Sequence, residues 1–285
     1  MQNADLPLFR QLSDNSGHYR DPLAAIDWAR LDTDSFWLPE PALSLYGLPE
    51  YGTLAPDIRR RLSQYEFINV MHAGLWLEGL FLQRLSRRLT PALARAEHEY
   101  FLHELREETG HSLMFLRAIE ASGLPLPAQA WRAPRLADLL ARHAPASSAL
   151  FWLATVIAED IPDKFNRHLR NHGADVNAVI AQICTLHVID EARHIAAARS
   201  KLDAALDRAP SLQRALLNPL MNLLLRQFVE VFYLPPESFY ELAGLTHGRW
   251  WRRMAARNVV HREFVRQRLA PTLHMLEAYG LKPAI

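Results

Sequence analysis

The sequence predicts an all-α protein: a four-helix bundle preceded by an irregular arm and followed by additional helices. Three observations carry that prediction. Alternating β-branched runs bounded by turns are absent. Glycine is scarce, at 11 of 285 residues, and the 18 prolines punctuate the chain without pervading it. Four long stretches of helix-forming sequence lie in the middle of the chain, in two pairs, and each exceeds the roughly 11–12 residues of an average helix. Four such helices favour a bundle.

Taken in order, residues 1–56 read as an irregular arm that wraps the body, anchored by Trp28, Trp37, Pro39, Pro41, Tyr46, Pro49 and Tyr51. The first long helix follows Pro56, a residue suited to a helical first turn, and runs to about Thr90. The second spans about Ala92 to Ser122 and stops at Gly123-Leu124-Pro125. A loop and a short helix fill 124–144. The third starts near Ser147, a suitable cap, and ends near Gly173. The fourth runs from about Asp175 to Arg208, ahead of Pro210. Further helices are expected at 211–233, 237–243 and 247–278, separated by Pro235-Pro236 and Gly244. The expected organisation is one helical domain over 1–285: an arm at 1–56, a core at 57–209 and accessory helices at 210–285.

Composition excludes several classes of function. Hydrophobic residues make up 49%, enough for a sizeable core. Lys+Arg number 32 and Asp+Glu 31, and no basic run occurs, so binding to nucleic acid through bulk charge is not expected. The single cysteine, Cys184, rules out a disulfide framework or a cysteine-based zinc site within one chain. No secretory signal or membrane span is read, and a cytoplasmic location is the expectation.

The informative residues are acids set in apolar surroundings. Residues 67–83 carry one formal charge, Glu78. The apolar run that begins at Ala149 ends in Glu159, and another precedes Asp190-Glu191. Burying a lone carboxylate costs on the order of several kcal/mol unless it is paired, protonated or metal-bound. No Lys or Arg lies within those windows.

The second and fourth helices each contain Glu-x-x-His, at Glu108/His111 and Glu191/His194. Residues three apart share a helix face, so both side chains can reach one ion. His187 lies four before Glu191, on the same stripe. One such motif is weak evidence. Two motifs, with Glu78 30 residues before one Glu and Glu159 32 before the other, form the ferritin-like pattern of di-iron or di-manganese bundles. Four carboxylates balance two divalent ions, and carboxylate with imidazole suits iron, with manganese as the alternative. Glu107 and Asp190, each just before a motif Glu, are candidates to hold the metal-binding histidines in place, each reaching a histidine of the opposite helix pair.

Ordinary readings stand beside these. Asp160 and Asp163 would make Glu159 part of a solvated charged turn. Glu104, four before Glu108, could bind the metal or support a ligand, but the favoured reading is a solvated position. Pro162 should distort the helix around 158–162. Cys184 reads as a buried small residue, and His72, His98, His103 and His168 as structural.

At these residues the chain resembles the AurF-like di-iron N-oxygenases, which oxidise aryl amines to hydroxylamine and nitro products. The match is His187-x3-Glu191-x2-His194 after Glu159, together with Glu108-x2-His111 and the stretch DWARLDTDSFWLPEPALSLYGLPEYGTLAPDIRRRLSQYE. His187 matches the extra histidine that sets this family apart from other ferritin-like oxygenases. The resemblance covers roughly 25–200 and implies the ligand set Glu78, Glu108, His111, Glu159, His187, Glu191 and His194. It also implies two irons bridged by oxygen during turnover, with O2, a small amine substrate and an external electron donor as partners, and a homodimer. No catalytic residue beyond the metal ligands is expected, and no partnership with nucleic acid or membrane. The competing functions are a hydroxylase, desaturase or oxidase of the same fold on another metabolite, a non-catalytic iron-binding bundle, and a metal-free interaction module. The last leaves the buried acids unexplained.

Overall fold

The computed structural model describes residues 6–285, the side chains of Leu136 and Leu140 excepted, and every regular element among them is helical. The elements are α1 (Leu6–Ser16), α2 (Pro22–Ala25), α3 (Pro49–Gly52), α4 (Pro56–Ser86), α5 (Arg95–Ala121), α6 (Arg135–His143), α7 (Ala149–Asn171), α8 (Ala178–Asp207), α9 (Ser211–Tyr233), α10 (Glu237–Leu242), α11 (Gly248–Arg257) and α12 (Val259–Ala278). The four long helices α4, α5, α7 and α8 form the ferritin-like bundle. Helix α4 packs along α5, α7 packs along α8, and α5 meets α8. Helix α1 lies across α5 and α8, while α9 lies against α7 and α4.

Local chemistry sets the helix ends. Pro56 opens α4 at a position where a missing N–H costs nothing. The Ser148 hydroxyl accepts from the Phe151 N–H at 3.2 Å and caps α7. The Asn177 side chain accepts from the Val179 N–H at 2.9 Å and caps α8. Each such cap is worth about 1 kcal/mol. The cap of α7 is therefore Ser148, one residue beyond the one expected, and α5 begins at Arg95, not near Ala92.

Three further expectations are corrected. The arm is not irregular throughout: Leu6–Ser16 is a helix, held by the fully buried Phe9, whose ring lies 5.4 Å from Tyr100 and 6.0 Å from Phe101. Residues 1–5 of the expected arm lie outside the described residues. The expected helix at 247–278 is two, because Asn258 leaves helical geometry and caps α12 through the Val260 N–H. Its amide also donates to the carbonyls of Ser44 (3.0 Å) and Tyr46 (2.8 Å), tying α12 to the arm. Finally, α7 continues as α-helix through Pro162, so the predicted distortion around 158–162 does not interrupt it.

The rest of the arm passes over the bundle in short turns, with Trp37 and Tyr51 buried and Trp28 and Tyr46 half-buried. The Trp37 indole N–H donates to the Asp32 carbonyl at 2.8 Å, and its backbone N–H to the Ser63 hydroxyl at 3.1 Å. Among the described residues no helix is long and apolar enough to cross a membrane.

Candidate metal centre

Each bundle helix brings acids inward. Glu78 comes from α4, Glu108 and His111 from α5, Glu159 from α7, and His187, Glu191 and His194 from α8. All seven are at most 2% exposed. Donor atoms of Glu78, His111, His187 and Glu191 lie within 4.8 Å of one another, as do those of Glu108, Glu191 and His194, and those of Glu104, Glu108 and Glu159. Glu191 belongs to the first two of these groups and Glu108 to the last two, so these two carboxylates link the cluster.

The histidines are oriented by partners outside the cluster. His194 Nδ1 faces Glu108 Oε1 at 3.2 Å, while its Nε2–H donates to Glu107 at 3.0 Å. His111 Nδ1 faces Glu108 at 3.3 Å and Glu191 at 3.5 Å, while its Nε2–H donates to Asp190 at 3.3 Å. The acid on α5 thus holds the histidine of α8, and the acid on α8 holds that of α5. Arg193 joins the two, placing its guanidinium 3.0 Å from Glu107 and against Asp190. This leaves both Nδ1 lone pairs facing the acids, the arrangement of a histidine prepared for a metal.

His187 points the other nitrogen inward. Its Nε2 lies 3.4 Å from Glu191 and 3.5 Å from Glu78, and its Nδ1 sits 3.0 Å from the Asn166 amide. With that amide turned so that Oδ1 accepts from Nδ1–H, the Asn166 Oδ1 gains the partner it otherwise lacks, and Nε2 keeps its lone pair for the centre.

Electrostatics show how incomplete the cluster is without a cation. Burial, followed by the charge of Glu108, drives the Glu78 carboxyl well above its ordinary range. Burial and the nearby Glu191 and Glu108 do the same to Glu159. For Glu108, burial pulls upward too, but the charge of His194, with hydrogen bonds from Glu78 and His111, outweighs it and holds the group low. Burial would lower the His111 pKa, yet hydrogen bonds to Asp190 and Glu108 raise it to about 9. Glu78 Oε2, Glu108 Oε1, Glu159 Oε1, both Glu191 oxygens and His194 Nδ1 have no hydrogen-bond partner. So many orphaned buried acceptors, all aimed inward, fit two divalent ions.

The neighbouring acids separate Glu159 from the ordinary reading. Asp160 and Asp163 are buried rather than solvated, and each has a cation: Lys164 lies 2.8 Å from Asp160 and 2.9 Å from Asp163, and Arg167 lies 2.8 Å from Asp163. Glu159 makes no ion pair among the described residues.

The favoured sequence reading of Glu104 changes. Glu104 is not solvated but 4% exposed, and burial pushes it up to about 8. Arg193 and Asn166 were not singled out, although Arg193 lies three residues after Asp190, a spacing at which helical side chains meet. Cys184 is buried and does not belong to the metal-donor clusters.

A small apolar cavity of about 40 Å³ lies where α6 and α9 meet α4 and α7. Phe81 and Thr155, one helical turn from Glu78 and Glu159, line its inner side. Among the described residues that line it the one cationic side chain is Arg84, whose guanidinium donates to the Arg142 and Ala144 carbonyls and has no acidic partner among them.

The chain matches the family described as p-aminobenzoate N-oxygenase AurF over residues 7–280. Uncharacterized proteins of Mycobacterium bovis (Mb0909) and Mycobacterium tuberculosis (Rv0885) are each 24% identical over 227 residues, covering 78% of this chain and 67% of theirs. Among solved structures, a variant of an R2-like ligand-binding oxidase with a Mn/Fe cofactor superposes with a TM-score of 0.56 at 14% identity, over 94% of this chain and 92% of that one. Another variant, with an Fe/Fe cofactor, gives 0.56 at 15% identity, over 95% and 90%. At such identities the likeness is one of fold.

Proposed function

The chain belongs to the p-aminobenzoate N-oxygenase AurF family, and on that premise we propose that it is a di-iron oxygenase that uses O2 to convert a small amine, an arylamine, to its hydroxylamine and onward to a nitro product. The observation that carries this reading is the convergence of seven buried donors from four helices, whose four carboxylates pair with no lysine or arginine among the described residues. Glu78, Glu108, His111, Glu159, His187, Glu191 and His194 are the proposed ligands, with Glu107, Asp190 and Asn166 holding the three rings. Bound ferrous iron would supply the electrons and the open coordination position that O2 chemistry needs.

The protein's own contribution is placement. The four carboxylates of this ligand set match the charge of two divalent ions, which offsets the cost of holding acids in an apolar interior. The bundle excludes water from it. The apolar lining beside Phe81 and Thr155, one helical turn from Glu78 and Glu159, supports a largely apolar substrate. His187, the extra histidine, favours N-oxygenation over the C–H chemistry of other ferritin-like enzymes. Each first oxidation takes one O2, two electrons and two protons, and yields the hydroxylamine and one water. An external reductant must supply those electrons. Manganese in place of one iron is the alternative loading.

The test is reconstitution with ferrous iron under anaerobic conditions, then exposure to labelled O2 with p-aminobenzoate and a reductant. The proposal expects a hydroxylamine or nitro product carrying the label on nitrogen. Label found only on carbon would assign a hydroxylase, and uptake of many irons per chain without product would assign iron binding alone.

A further inference from the structure

We propose that Glu104 is an eighth protein ligand of the centre, completing one metal position as His187 completes the other. This rests on the di-iron reading above and concerns a residue outside its ligand set.

The two helix hairpins repeat one arrangement. Glu78 on α4 corresponds to Glu159 on α7, and Glu108 and His111 on α5 correspond to Glu191 and His194 on α8. Under that exchange His187, four residues before Glu191, corresponds to Glu104, four before Glu108. The atoms follow the same correspondence. Glu78, His111, His187 and Glu191 gather within 4.8 Å in one half. Their counterparts are Glu159, His194, Glu104 and Glu108. Three of these, Glu104, Glu108 and Glu159, also gather within 4.8 Å, and His194 Nδ1 lies 3.2 Å from Glu108.

Glu104 has the other marks of a ligand. It is 4% exposed, its Oε2 has no hydrogen-bond partner, and it makes no ion pair among the described residues. A carboxylate held beside two others, away from water, is stable as an anion only with a cation between them. The result is a centre whose two halves differ by one donor. One position takes an additional imidazole and the other an additional carboxylate, so the two irons are chemically distinct. The competing role for Glu104 is a neutral acid bonded to the Tyr100 hydroxyl one turn before it.

The test compares the wild type with Glu104→Gln and Glu104→Ala. Gln keeps the shape of the side chain and its capacity to hydrogen-bond Tyr100, but cannot carry the charge. Each protein, its helical fold checked by circular dichroism, is titrated anaerobically with isotopically enriched ferrous iron and read by metal count and Mössbauer spectroscopy. The expected result is two irons with two distinguishable doublets in the wild type. In Glu104→Gln, one iron should bind at least about tenfold more weakly and one doublet should shift while the other stays. Two irons bound with wild-type affinity and unchanged doublets in both variants would overturn the assignment and leave the seven-ligand centre intact. A wild type that binds no iron would instead overturn the di-iron reading itself.

Discussion

At the scale of single residues, the difference between a proposed metal ligand and an ordinary buried acid lies in the partners. Asp160, Asp163 and Glu97 are buried like Glu159, but each meets a lysine or arginine. Glu66, at 5% exposure, accepts from the Ser44 backbone N–H at 3.0 Å and from its hydroxyl at 2.5 Å. The acids of the centre have no such partners and face one another. Much of this was legible in the sequence, because Glu-x-x-His on a helix places both groups on one face whatever the tertiary structure. Asn166 was not, since nothing on α7 announces that it will meet a ring from α8. Glu104 was misread for the same reason: spacing gives a face, and only packing says whether that face is covered. The Asn166 contact gives a prediction. Asn166→Leu removes the partner of His187 Nδ1 and should weaken iron binding by about 10–100-fold with the helical content unchanged. Wild-type affinity in an anaerobic titration would mean that the amide does not orient the ring.

At the scale of elements, the centre depends on how closely the helices approach. Gly74 lies one turn before Glu78 on α4, and a Cβ there would stand 2.5 Å from Phe115 Cε2 on α5. The Phe115 ring in turn lies 5.3 Å from that of His187. Gly74→Val should therefore force α4 and α5 apart and destabilise the fold by about 1–3 kcal/mol in a thermal melt. Gly79, five residues on, has nothing within 4 Å of its Cβ position, so Gly79→Ala should be neutral or stabilising. Equal melting temperatures for the two variants would contradict the close approach. The four bundle helices were readable from their length and apolar windows. Their ends were less so, because a cap such as Ser148 beside Ser147 is settled by backbone geometry. Helix α1 was missed because its helical state rests on burying Phe9 against α5, a contact invisible locally. The break at Asn258 was missed because its amide answers carbonyls more than two hundred residues away in the chain.

At the scale of the whole molecule, the fold reads as two similar hairpins meeting at their acids, sheltered by α1 on one side and α9 on the other. A small apolar cavity lies between α4 and α7, lined by Leu77 and Ala158, the neighbours in sequence of Glu78 and Glu159. The near-zero net charge of the chain, +1, hides a strongly uneven interior in which acids collect at the middle of the bundle. Neutralising that interior is the central claim, and counting metal tests it most directly. Purified chain, stripped of metal and loaded anaerobically with ferrous iron, should bind two irons per chain and gain thermal stability, since a ligand at about 100 times its Kd adds about 2.7 kcal/mol. Iron that does not bind, or that binds without raising the melting temperature, would contradict the account.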